Sequence, residues 1–143
     1  MPTNTMHDIP AVGDSDRARA ADYLAAGHWQ DKPLTAYLDD AAQLTPERLY
    51  VTDGVRSLTY AQVRGEAYRL AVSLRRLGVE PGDRVAVQLP NWAEFAVAYL
   101  ALARIGAVLV PIMPVYRRNE VQYVLDNSGA VLVITAGVFR TFD

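Results

Sequence analysis

Apolar and polar positions recur along this chain with two periods, and each change of period marks an element. In "PLTAYLDDAAQL", Pro33 to Leu44, the apolar residues Leu34, Tyr37, Leu38, Ala41 and Leu44 have helical spacing. Pro33 stands near the start, and Asp39 and Asp40 fall on the solvated side. "RLYVTDGVRSLTY", Arg48 to Tyr60, predicts a β-hairpin whose two short strands flank a two-residue turn at Asp53–Gly54. Thr59-Tyr-Ala-Gln62 then reads as a capping box, in which the hydroxyl accepts from a first-turn N–H and the glutamine reaches back. Val63, Ala67, Leu70, Ala71, Leu74 and Leu77 form one stripe on the helix that follows. Gly78 suits its left-handed cap, and Pro81–Gly82 prevents it from resuming.

Beyond this helix, strand and helix patterns alternate. Arg84–Leu89 is a predicted strand, Asn91–Gly106 a helix, Ala107–Met113 a strand, Arg117–Gly129 a helix and Ala130–Thr135 a strand. The strand segments are nearly continuous apolar runs, expected where both faces of a parallel sheet are covered. Short links predict right-handed crossovers between neighbouring parallel strands. The helix from Asn91 is apolar on every side between Glu94 and Arg104, so it is expected to be buried over most of its circumference. Asn91 is its expected N-cap, with Glu94 three residues on.

These elements predict an α/β fold: a partial parallel sheet with helices on both faces. Residues 1–20 are polar and are expected as a flexible tail, and 21–143 as an incomplete α/β subdomain. The length of 143 residues suits one domain, and a 51% hydrophobic composition is enough for a core. A net charge of −2 argues against a dedicated nucleic-acid binder. The absence of cysteine removes disulfides and thiolate chemistry. The N-terminus lacks the basic-then-apolar pattern of a signal peptide. The apolar region Trp92 to Met113 is interrupted by Glu94, Arg104 and Pro111, so no membrane span is expected and a cytoplasmic location is the default.

Candidate chemistry is sparse. No P-loop, no G-x-G-x-x-G and no G-x-S-x-G occurs. The only histidines, His7 and His28, are too few and too far apart for a zinc site, and nothing in the spacing ties His28 to Ser15, Ser57, Ser73 or Ser128 as a triad. Asp39–Asp40 could suggest a metal or acid–base pair, but adjacent helical residues diverge, so a solvated face is the better reading. Arg64, Arg69, Arg75 and Arg76 on one helix could suggest a phosphate patch. Balancing acids and the lack of an aromatic platform favour a solvated face again. The N-cap at Asn91 could hold an anion, yet without a glycine-rich loop it reads as an ordinary cap. "GHWQDKP", Gly27 to Pro33, could stack a ligand on Trp29, but packing of the ring is preferred.

The segment Leu58 to Thr135 resembles the N-terminal part of the AMP-forming acyl-CoA synthetases, in the adenylate-forming superfamily with luciferases and peptide-synthetase adenylation domains. The likeness rests on "LTYAQ", "LGVEPGDRVAVQLPNWAEF" and "LARIGAVLVPIMPVYRRNEVQYVLDNSGA". It extends weakly back through "GHWQDKPLTAYLDDAA". "PNW" and "ARIGAV" with "PIMP" look most like synthetases for medium-chain, cyclic or aromatic acids. Arg117 departs from the family, which often has Thr or Ser there; loss of that cap weakens the helix start by about 1 kcal/mol.

The resemblance implies a two-step ligase reaction: acid and ATP give an acyl-adenylate and pyrophosphate with magnesium, and coenzyme A then takes the acyl group. The family's phosphate loop, adenine-stacking aromatic, ribose-binding aspartate and catalytic lysine have no counterpart in this chain. No residue is therefore expected to be catalytic, to bind a cofactor or to ligate a metal. The chain alone is expected to be inactive, with ATP, magnesium and coenzyme A belonging to a complete enzyme. Its expected partners are the C-terminal remainder of the synthetase, if that is separately encoded, and, in the complete enzyme, a small carboxylic acid. Open sheet edges predict marginal stability or self-association. A stand-alone binding or interaction module and a degenerate truncated reading frame remain as alternatives.

Overall fold

The computed structural model describes residues 13–30 and 32–138. They form two compact units, divided between Pro33 and Leu34.

In the first unit, α1 (Asp14–Ala25) ends near Gly27, whose φ of 73° is a left-handed turn. The backbone N–H groups of His28 and Trp29 donate to the carbonyl of Tyr23, at 2.9 and 3.1 Å. That fold-back sets the Trp29 ring edge-on to Tyr23, with centroids 5.2 Å apart. The tail expected over residues 1–20 thus overlaps a helix. "DSDRARAADYLA" has almost no apolar stripe, so periodicity gave no sign of it, although it is rich in good helix formers. Residues 1–12 lie outside the described part.

The second unit begins with α2 (Leu34–Leu44) and the antiparallel pair β1 (Leu49–Thr52) and β2 (Ser57–Thr59), then α3 (Tyr60–Arg76). The capping box is present: Thr59 Oγ1 accepts from Gln62 N–H at 3.4 Å, and Gln62 Oε1 accepts from Thr59 N–H at 2.8 Å. Next come β3 (Arg84–Gln88), α4 (Ala93–Ile105), β4 (Val108–Pro111), α5 (Arg118–Ser128) and β5 (Leu132–Thr135). The three later strands form a parallel sheet in the order β4-β3-β5. Consecutive strands were expected side by side. Instead β5 lies beyond β3, so the connection through α5 crosses the central strand. Right-handed crossovers running in opposite directions place α4 on one face and α5 on the other.

Residues alternate across β3 accordingly. Val85 and Val87 point into the core built by α2, α3 and α4. Their in-register neighbours Leu109, Leu132 and Ile134 pack against the same core. Arg84, Ala86 and Gln88 take the α5 side. Only β3 is buried on both faces as its apolar run predicts; β4 and β5 are edges, and Val108 and Val133 on them are exposed.

Helix α4 is the buried helix that its composition demands, with Ala93, Val97, Ala98, Leu100, Ala101 and Leu102 all inside. Leu102 is fully enclosed. Leu102→Ala is expected to lower unfolding free energy by about 3 kcal/mol. Leu44→Ala, at a side chain 81% exposed, is expected to change it by less than about 0.5 kcal/mol. Urea titration of both variants checks the contrast.

Candidate functional site

The hairpin loop is the main place where the second unit differs from the sequence reading. It is four residues long, Asp53 to Arg56, and not a two-residue turn. Asp53 organises it. Its Oδ1 accepts from the N–H groups of Val55 and Arg56, at 2.9 and 2.7 Å, and Gly54 supplies the left-handed φ of 88°. Its Oδ2 accepts from Ala93 N–H at 2.9 Å.

That last contact replaces a predicted one. Helix α4 starts at Ala93 with Trp92 at the N-cap and no side-chain cap from its own segment, so Asn91 does not cap it. The first free N–H is satisfied from the hairpin, 40 residues upstream. The Arg56 guanidinium bonds Glu94 in the first turn of α4, and through Nη2 bonds Glu66 of α3 at 2.9 Å. Loop, α3 and α4 are thereby tied by one cation between two carboxylates. The backbone N–H groups of Arg56 and then Ala93 hold the Asp53 carboxyl well below the usual range, at about 2.

These residues wall a cleft of about 480 Å³ at the carboxyl ends of the strands. Asp53, Val55 and Arg56 come from the hairpin, Leu89 follows β3, Trp92 and Glu94 open α4, and Thr135 and Ala136 end β5. Open α/β sheets use this edge for ligands. Here the charged groups are already engaged with one another, and the remaining wall is mostly apolar. The cleft offers shape and apolar contact, with no acid–base pair aimed into it.

The other candidates are spread apart. Asp39 is more than a solvated residue. It bonds Arg104 of α4 with both oxygens, at 2.8 and 3.2 Å, and Arg64 of α3 at 2.9 Å. Arg104 above all, then Arg64, holds its carboxyl below the usual range. Arg104 Nε is buried without an acceptor. A missed signal was available: Arg104 is the one cation of an otherwise apolar helix, and such a charge needs a partner. Of the four α3 arginines, Arg64 thus serves Asp39, while Arg75 bonds Val79 O and Glu80 at 2.8 and 2.6 Å. Arg75, Arg76 and Arg104 rim a groove of about 410 Å³ floored by Ala71, Val72 and Ile105. They stand in the last turns of α3 and α4, where cations complement the helix dipoles. His28 and Trp29 belong to the first unit, with Trp29 53% exposed. His7 lies outside the described residues.

At α5, Arg117 cannot cap through its side chain. Glu120 compensates by accepting from Arg117 N–H at 3.0 Å, half of a capping box. Among the described residues no group of three or more His, Asp or Glu is placed to hold a metal ion. The glycines with positive φ stand singly in turns and make no phosphate cradle. No described helix is long and apolar enough to cross a membrane.

Asp53 stabilises the fold as an anion. Its folded pKa lies below the unfolded value, so its contribution is complete above about pH 4 and is lost as pH falls towards 2. Asp53→Ala is expected to lower Tm at pH 7, with the gap to the wild type narrowing between pH 4 and 2. Calorimetry across that range is the check.

A family model, AMP-binding enzyme, matches residues 38–142. The chain is 43% identical over 130 residues to salicyl-AMP ligase/salicyl-S-ArCP synthetase of Mycobacterium tuberculosis, covering 87% of this chain and 23% of that protein. It is 39% identical over 124 residues to 2-hydroxy-7-methoxy-5-methyl-1-naphthoate–CoA ligase of Streptomyces carzinostaticus, with 87% and 22% covered. A medium-chain fatty-acid–CoA ligase of Escherichia coli is 38% identical over 123 residues, with 85% and 22% covered. Among solved structures, apo MbtA of Mycobacterium smegmatis superposes with a TM-score of 0.73 at 43% identity, over 82% of this chain and 22% of that one. The N-terminal subdomain of Klebsiella oxytoca NpsA gives 0.70 at 28%, over 78% and 29%. The chain thus spans less than a quarter of the length of these three relatives. The parallel β4-β3-β5 sheet, its helices and the match over most of the second unit place this chain among the AMP-binding enzymes of the adenylate-forming superfamily, as an N-terminal portion of their fold.

Proposed function

We propose that the chain serves as the N-terminal scaffold of an AMP-forming carboxylic acid–CoA ligase acting on a medium-chain, fatty, cyclic or aromatic acid, and that it is inactive by itself. The complete reaction joins acid and coenzyme A at the expense of ATP, releasing AMP and pyrophosphate. The observation that carries this reading is the family match over residues 38–142, on a chain whose described residues offer no phosphate cradle. The acid class is supported by relatives named for salicylate, a naphthoate and medium-chain fatty acids. In this reading the second unit supplies a wall, and the nucleotide, magnesium and coenzyme A are held by the remainder of the enzyme. A cytoplasmic location fits such an enzyme.

Acid-dependent ATP–pyrophosphate exchange tests the proposal. The purified chain is expected to show no exchange above background with salicylate, benzoate or octanoate. Co-expression with the complementary portion of the salicyl-AMP ligase relative is expected to restore it. Exchange by the chain alone would overturn the inactivity. Failure of the pair to exchange with any of these acids would overturn the scaffold role.

A further inference from the structure

Helix α5 is held differently from the other helices of its unit. Helices α2, α3 and α4 each have buried residues, whereas α5 has none. Its inner stripe, Val121, Val124, Leu125 and Ser128, is only half-buried, and Tyr123 is 70% exposed. A cavity of about 430 Å³, bounded in part by Tyr116 and Val124, opens against its first two turns.

What fixes α5 is polar and sits at its two ends. At the C-terminal end, Arg84 Nε donates to Ser128 O at 3.0 Å and Nη2 to Gly129 O at 3.1 Å, filling helix carbonyls that have no intrahelical donor. At the other end, Gln88 Nε2 donates to Met113 O and Tyr116 O, at 3.2 and 3.1 Å, in the loop that leads into α5. Arg84 and Gln88 are four residues apart on β3 and therefore share a face. Between them is Ala86, 0% exposed, with Val110 and Val133 in register on either side. Alanine gives a helix on this face little to grip.

We infer that α5 is a strap over the second face of the sheet, latched at its ends by Arg84 and Gln88, which opens as a unit while the α2–α3–α4 core stays folded. Opening uncovers Ala86 and the half-buried Val110 beside it, and leaves Val85 and Val87 buried on the opposite face. A helix with few buried apolar contacts and exposed hydrogen bonds belongs to the low-stability end of a domain, and such units open cooperatively.

Native-state hydrogen exchange of the full chain, read peptide by peptide, is the test. After correction for intrinsic rates, amides of 118–128 are expected to exchange at least about tenfold faster than those of 93–105. Arg84→Met and Gln88→Leu are each expected to accelerate 118–128 by a further factor of about ten, leaving 60–76 and 93–105 unchanged. Equal protection of 118–128 and 93–105 in the wild type would overturn the strap, whether or not the variants fold. So would variants that leave 118–128 unchanged, or that accelerate all three helices together.

Discussion

Helix α4 is apolar on nearly every side, so it cannot rest on a surface; it has to be surrounded. Helices α2 and α3 cover it from one direction and the Val85–Val87 face of β3 from another. What remains is its first turn, where free N–H groups meet the carboxyl edge of the sheet. The segment before α4 supplies no side-chain cap. The hairpin loop does so, through Asp53 on Ala93 N–H and Arg56 on Glu94. Burial of α4 and placement of the hairpin are thus one constraint. The cleft of about 480 Å³ sits against this junction, beside the carboxyl ends of β3 and β5.

Charges in this unit do structural work between helices. Asp39 joins α2 to α3 and α4 through Arg64 and Arg104, and Arg56 joins the loop to α3 and α4. Both hubs are partly exposed, so each pair is individually modest. Their value lies in geometry: each fixes two helix surfaces relative to a third element. On the opposite face the described residues form no comparable hub; Arg84 and Gln88 reach to the ends of α5. The asymmetry suits a unit whose relatives extend well beyond the portion matched here.

Much of the fold is legible in the sequence because it rests on local rules. Thr59 and Gln62 announce the start of α3, and the apolar run of β3 announces a strand buried on both faces. The β4-β3-β5 order was not legible, because neighbouring and skipped crossovers have the same periodicity. Helix α1 lacks an apolar stripe, and propensity alone did not mark it. At the cleft, Asp53–Gly54 looked like a tight turn because the dipeptide does not reveal that the carboxylate is engaged by a helix 40 residues away. Asn91 looked like a cap for the complementary reason: a good local candidate was outcompeted by a distant one. Long-range polar contacts of this kind have no period.

The central claim is that the hairpin, not the local segment, caps α4. Urea unfolding of Asp53→Ala beside Asn91→Ala tests it most directly. The account predicts a clearly lowered midpoint for Asp53→Ala and an unchanged one for Asn91→Ala. A lowered midpoint for Asn91→Ala with Asp53→Ala like the wild type would contradict it.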